Sequence, residues 1–127
     1  MIGFSKFWNR QGVAARASAQ KLYSGLSAAA LTAPLYEEGA AIDTFEGRAA
    51  MITAHAALVM RRLKSIERPV SRKIAERLNR LVLDGFDAAY REKGVGDSSI
   101  ARKVRKLAEV HYGLGKSLTG ALNAVVT

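Results

Sequence analysis

The sequence predicts an all-α chain forming a single domain of about four main helices, and three observations predict it. Apolar residues recur at spacings of three and four along four separate segments. Ala, Leu, Arg and Lys are abundant, whereas the 127 residues include only two prolines, four Phe, four Tyr and one Trp, a mixture that favours helix over sheet. No stretch shows the apolar–polar alternation of a half-buried strand. The length suits one domain and its own core. With 49% hydrophobic and 24% charged residues the chain has enough apolar material to offset its entropy, which excludes wholesale disorder. The absence of cysteine excludes disulfide scaffolds, thiolate zinc sites, thiol nucleophiles and iron–sulfur clusters.

Residues 1–13 read as a basic N-terminal tail, and residues 14–127 as the helical domain. From Met1 to Tyr36 the chain carries Lys6, Arg10, Arg16 and Lys21 and no acid. Three readings fit: the start of the first helix, a transit peptide, or an amphipathic strip on anionic lipid with Ile2, Phe4, Phe7 and Trp8 on its apolar side. No continuous apolar run follows, so a secretory signal is not expected. The first helix is predicted from Val13 to Leu31, with Leu22, Leu26 and Ala29 inward and Thr32-Ala33-Pro34 closing it. Asp43 stands three residues before Glu46, a capping-box spacing that opens a second helix from about Thr44 to Ser65. Its arc of Phe45, Ala49, Ile52, Ala56, Val59, Met60 and Leu63, widened by Met51, His55 and Leu58, marks it as the centre of the domain.

Arg68-Pro69 restarts the chain, since proline suits a first helical position. The third helix runs to about Lys93 and stops at Gly94, a candidate left-handed cap. Val70, Ile74, Leu78, Leu81, Val82 and Ala89 share its inner arc; Arg72, Lys73, Arg77, Arg80 and Arg91 share the outer one. Asp97 or Ser98 then caps a fourth helix, whose inner residues are Ile100, Val104, Leu107, His111, Leu114, Leu118 and Leu122. The longest uncharged helical stretch, Ala49 to Met60, is too short to span a bilayer, which takes about 20 residues.

The net charge of +9 is concentrated. Residues 1–60 are nearly neutral, and residues 61–127 carry fifteen basic and seven acidic side chains. Such a surplus attracts anionic partners: nucleic acid, anionic lipid or an acidic protein surface. Arg61, Arg62, Lys64 and Arg68 close the second helix, where cations complement the macrodipole. Arg102, Lys103, Arg105 and Lys106 open the fourth, where cations oppose it, so a solvated face and a docking face compete as explanations. No zinc-finger spacing and no RNA-recognition aromatic motif accompanies them.

Nothing in the sequence supports catalysis. His55 and His111 both fall on apolar arcs, where a hydrogen-bonded core role is the simpler account, and no carboxylate spacing completes a metal site. Gly94-x-Gly96 lacks the third glycine and the preceding strand of a dinucleotide fingerprint. Ser98-Ser99 have no base nearby and read as caps.

Two blocks carry a family likeness. Asp43-Thr44-Phe45-Glu46-Gly47-Arg48, with His55 and Arg61-Arg62-Leu63 on the same helix, is the first. Gly94-Val95-Gly96-Asp97, with Arg102-Lys103-Val104-Arg105-Lys106-Leu107-Ala108-Glu109 and Tyr112-Gly113, is the second. In this order they resemble the ubiquinol–cytochrome c chaperone family, from roughly Ala14 to Leu118. The chain departs from that pattern at Ser98-Ser99, where a more apolar pair is expected, and at His111, where an aromatic is expected. Family members also carry more helix after the Tyr-Gly pair than Gly115–Thr127 supplies.

The resemblance implies a non-catalytic assembly chaperone for the cytochrome bc1 complex, without cofactor or metal. It would bind cytochrome b or an assembly intermediate. The implied partner-binding residues are Asp43, Phe45, Glu46, Arg48, Asp97, Arg102, Lys103, Arg105, Lys106 and Tyr112, with Arg72, Lys73, Arg77 and Arg80 as a basic face. An anionic membrane surface is a second expected partner, and a basic module for nucleic acid or the ribosome is the competing function. Only about thirteen residues precede the resemblance, short for a transit peptide. A bacterial cytoplasmic protein at the inner membrane face is therefore expected, with the mitochondrial matrix and inner membrane as the alternative.

Overall fold

The computed structural model describes the backbone of residues 2–94 and 96–126, and side chains except those of residues 2–9, 11, 97 and 126. The strip of Ile2, Phe4, Phe7 and Trp8, the side chain of Asp97, and Val95 thus lie outside what is described. Five helices follow one another: α1 (Ile2–Ala30), α2 (Ala33–Glu37), α3 (Phe45–Ser65), α4 (Pro69–Glu92) and α5 (Asp97–Val126). No strand occurs among the described residues, so the fold is all-α with four long helices.

The break expected between residues 13 and 14 falls inside the continuous helix α1. Its inner face holds Ala15, Ala19, Leu26 and Ala30, whereas Ala29 points outward. The spacing of four from residue 26 prevails over the expected spacing of three. Helix α1 ends at Ala30, just before the expected closing segment, and Ala33 and Pro34 of that segment also start α2, with Tyr36 Oη donating to the Ala30 carbonyl at 2.7 Å.

The N-cap of α3 is Thr44 and not Asp43. Thr44 is extended, and its Oγ1 accepts from the Gly47 N–H at 3.0 Å. Asp43 is thereby left to pair with Arg48. Gly47 is required here: a Cβ would collide with the Ile42 carbonyl just upstream. Helix α4 begins with proline and ends before Gly94, whose φ of +80° is the left-handed region that glycine enters at little steric cost. Asp97 and Ser98 stand inside α5, and the Gly96 carbonyl accepts its first N–H groups, from Ser99 and Ile100.

Helices α3 and α4 form the middle of the bundle. Both α1 and α5 pack against each of them, and no comparable α1–α5 contact exists among the described residues. The central role expected of α3 is thus shared with α4, which supplies Leu78 and Val82, the two largest fully buried side chains. Each contributes about 1.5–3 kcal/mol by leaving water. Alanines with no exposure, Ala19, Ala30 and Ala56, let helix backbones approach closely. Gly85 of α4 faces the Tyr23 hydroxyl of α1, with no room for a Cβ.

Candidate functional site

Helices α3 and α5 run parallel. Thr53 meets His111, Ala57 lies beside Gly115, and Arg61 Nε donates to Asn123 Oδ1 at 3.1 Å, so residue numbers rise together along both helices. At 57 and 115 only small residues separate the backbones, with 3.9 Å between the Ala57 Cβ and a Cβ built on Gly115.

A polar chain ties α4 to this pair. His111 is buried, and burial holds its imidazole below the ordinary histidine pKa, which favours the neutral ring. A neutral ring suits its contacts. Nε2–H donates to Asn79 Oδ1 at 3.0 Å, and Nδ1 accepts from the Thr53 hydroxyl at 2.8 Å. Asn79 Nδ2 donates in turn to the Tyr112 hydroxyl at 2.8 Å. The core role expected of His111 thereby gains named partners. His55 also has one, donating from Nδ1 to the Met51 carbonyl at 2.8 Å.

Beyond this chain the helices leave an open cleft of about 990 Å³. Its floor and walls include Ala57, Leu58, Met60 and Gly115; Arg61, Arg62, Lys64 and Lys116 line it as well. Among the described residues, no carboxylate contributes to the lining. Leu58, assigned to the core by periodicity, is 48% exposed and belongs to this surface.

The sequence-predicted residues fall into four groups. Tyr112 lines the cleft. Asp43, Phe45 and Arg48 form a knot at the opposite end of α3: Arg48 Nε lies 2.7 Å from Asp43 Oδ1 and 5.7 Å from the Tyr36 ring centre. The hydrogen bond from Arg48 holds the Asp43 carboxyl below its ordinary pKa. The Phe45 ring packs 4.6 Å from Tyr90 and lies under Lys93 at 4.7 Å. Glu46 is exposed in the first turn of α3. Arg102, Lys103, Arg105 and Lys106 are all exposed on the first half of α5, and Asp97 begins that helix.

Arg72, Arg77 and Arg80 are exposed on α4, with Lys73 half-buried. Glu76, Asp84 and Asp87 are interleaved with them in sequence, and Asp87 binds Arg91 at 3.0 Å. None of these α4 cations lines the cleft. Sequence reasoning missed Asn79, Thr53 and Lys116, and it explained Arg61, Arg62 and Lys64 by the helix dipole. The constant offset between small and polar residues of α3 and α5 was the available signal.

The sequence profile described as "Ubiquinol-cytochrome C chaperone" matches residues 37–125. The chain belongs to this family. Its matched segment contains all of α3 and α4 and all but the last residue of α5, hence the whole cleft and every partner-binding residue expected from sequence. The crystal structure of the Cbp3 homolog from Brucella abortus superimposes with a TM-score of 0.79 at 29% identity. That match covers 98% of this chain and 67% of the other. No curated protein matches. No described helix of this ubiquinol–cytochrome c chaperone family member is long and apolar enough to cross a membrane.

Proposed function

We propose that this protein is a non-catalytic assembly chaperone of the cytochrome bc1 complex. It works at the inner membrane face of a bacterium and holds cytochrome b or an assembly intermediate that contains it. The observation that carries this reading is the extent of the family match: residues 37–125 take in every helix that builds the cleft and the basic start of α5. Arg102, Lys103, Arg105 and Lys106 lie exposed on the second and third turns of α5. Four exposed cations on adjacent turns suit a docking role. Tyr112 of the same helix lines the cleft, while Phe45 packs the far end of α3 against Tyr90 of α4 and Arg48 joins Asp43 beside Tyr36 of α2.

The test is capture of cytochrome b by the tagged protein from membranes of the native host. Reversing charge at Arg102, Lys103, Arg105 and Lys106 is expected to leave helicity intact and to reduce that capture strongly. Undiminished capture at low salt rejects the surface assignment. Micromolar RNA binding with a steep salt slope, above that of an unrelated protein of equal charge, supports the competing nucleic-acid reading instead.

A further inference from the structure

We infer that the cleft between α3 and α5 receives an amphipathic α-helix of about three turns, lying antiparallel to both walls, with acidic residues in its first turn. This rests on the chaperone reading and names the chemistry of the segment held.

Length comes first. The α3 wall runs from Thr53 to Ser65 and the α5 wall from His111 to Asn123. At 1.5 Å per residue each wall is about 18 Å long, the length of a helix of three and a third turns. Ala57, Leu58, Met60 and Gly115 offer an apolar bed, as grooves that accept amphipathic helices do.

Charge and direction follow from the two ends of the trough. Because α3 and α5 are parallel, both C-termini lie toward the end that holds Arg61, Arg62 and Lys64. Partial negative charge gathers at helix C-termini and partial positive charge at N-termini. An occupant whose N-terminus sits at that end sets its dipole favourably against both walls. Acidic residues in its first turn then complement its own N-terminus and meet Arg61, Arg62 and Lys64, with no carboxylate among the described lining residues to oppose them; Lys116, next to Gly115, adds a cation further along the trough.

The other end is polar and is closed by Asn79, His111 and Tyr112. The Tyr112 hydroxyl accepts from Asn79, so its own proton is available to donate. The last carbonyls of a helix lack intrahelical donors and need such a group. A phospholipid with its phosphate at the basic end would instead run its acyl chains onto Thr53, Asn79, His111 and Tyr112, where they gain nothing. Protein helix is therefore the occupant that suits both ends.

The probe is a fluorescent synthetic peptide of about 14 residues, long enough for the trough, with leucines at helical spacing and glutamates in its first turn. Two companions carry the glutamates in the last turn or a central proline. Expected results are saturable binding of the first peptide and at least about tenfold weaker binding of both companions, a difference of about 1.4 kcal/mol or more. Arg61→Glu with Lys116→Glu should weaken the first peptide by a similar factor. Arg16→Glu with Lys21→Glu, an equal change of charge on exposed positions of α1, should alter it less than twofold. Equal loss in both variants, equal binding of the companions, or displacement of the peptide by anionic phospholipid vesicles overturns the inference. Capture of cytochrome b separates the two readings: full capture by the Arg61/Lys116 variant rejects the cleft alone, and no capture by the wild type rejects the chaperone assignment itself.

Discussion

The two ends of α3 use similar side chains to opposite effect. At the N-terminal end Arg48 is bound to Asp43 and lies near the Tyr36 ring, while Phe45 packs between Tyr90 and Lys93. Charge and aromatic surface there are matched within the chain. At the C-terminal end Arg61, Arg62 and Lys64 border a cleft with no carboxylate among its described lining residues. A signature dense in charged and aromatic residues can thus be architecture, and a cation run that a helix dipole explains can border a binding trough. Substitutions at the first end should act on stability; substitutions at the second should act on binding.

The largest effect is expected from Gly47→Ala. Its Cβ would meet the Ile42 carbonyl, so the loop that presents Thr44 must shift. A loss of roughly 1–3 kcal/mol in urea unfolding follows from overpacking of this kind. Arg61→Glu with Lys116→Glu should cost less than this, because Lys116 is exposed and the half-buried Arg61 gives up one hydrogen bond, to Asn123, worth about 1 kcal/mol. A cleft variant as unstable as Gly47→Ala would erase the contrast between the two ends. Thr44→Ala comes next, removing the acceptor for the Gly47 N–H at a cost of about 1 kcal/mol. Thr44→Ser should restore most of it, and equal losses for both would show that the cap bond is not the cause.

The third expectation concerns acid. His111 is held below its ordinary pKa of 6.5 by burial, so the unfolded chain takes up a proton that the folded chain refuses. Stability is therefore fully present above about 6.5. It falls as pH drops through that value and stops falling once the folded-state pKa is passed. Urea midpoints measured across this window should slope for the wild type and lose that part of the slope in His111→Gln. An unchanged slope would remove the neutral ring from the Thr53–His111–Asn79–Tyr112 chain.

How much of this was legible in sequence differs by residue. The long helices were readable because Leu78 with Val82 on α4, and Ile100 with Val104 and Leu107 on α5, recur at helical spacing, and because Pro69 and Gly94 mark boundaries by steric rules that need no tertiary context. The cap was misplaced by one residue: Asp43 and Thr44 can both cap, and only the position of Arg48 decides which is needed elsewhere. Leu58 satisfied the apolar period and yet faces the cleft, since periodicity reports a face and not what covers it. The cleft itself was hidden, because it depends on the parallel offset of α3 and α5. That offset is set by Gly115 against Ala57 and by Thr53 against His111, pairs far apart in the chain.

Arg48→Ala should have the smallest effect on stability, and it probes the contrast most finely. Both partners of its ion pair are more than half exposed, at 54% and 57%, so water competes for each group. Exposed pairs of this kind add little and are weakened by salt. The expected result is a slight fall in melting temperature at low ionic strength that shrinks toward zero in about 1 M salt, where the Debye length is about 3 Å. The Asp43 carboxyl should titrate closer to its ordinary range in the variant, because the Arg48 hydrogen bond that lowers it is gone. Cytochrome b capture by the same variant then decides what this end of α3 is for. Retained capture leaves Arg48 as a strut, and lost capture with an intact fold makes it a contact, so that both ends of the helix would meet the partner.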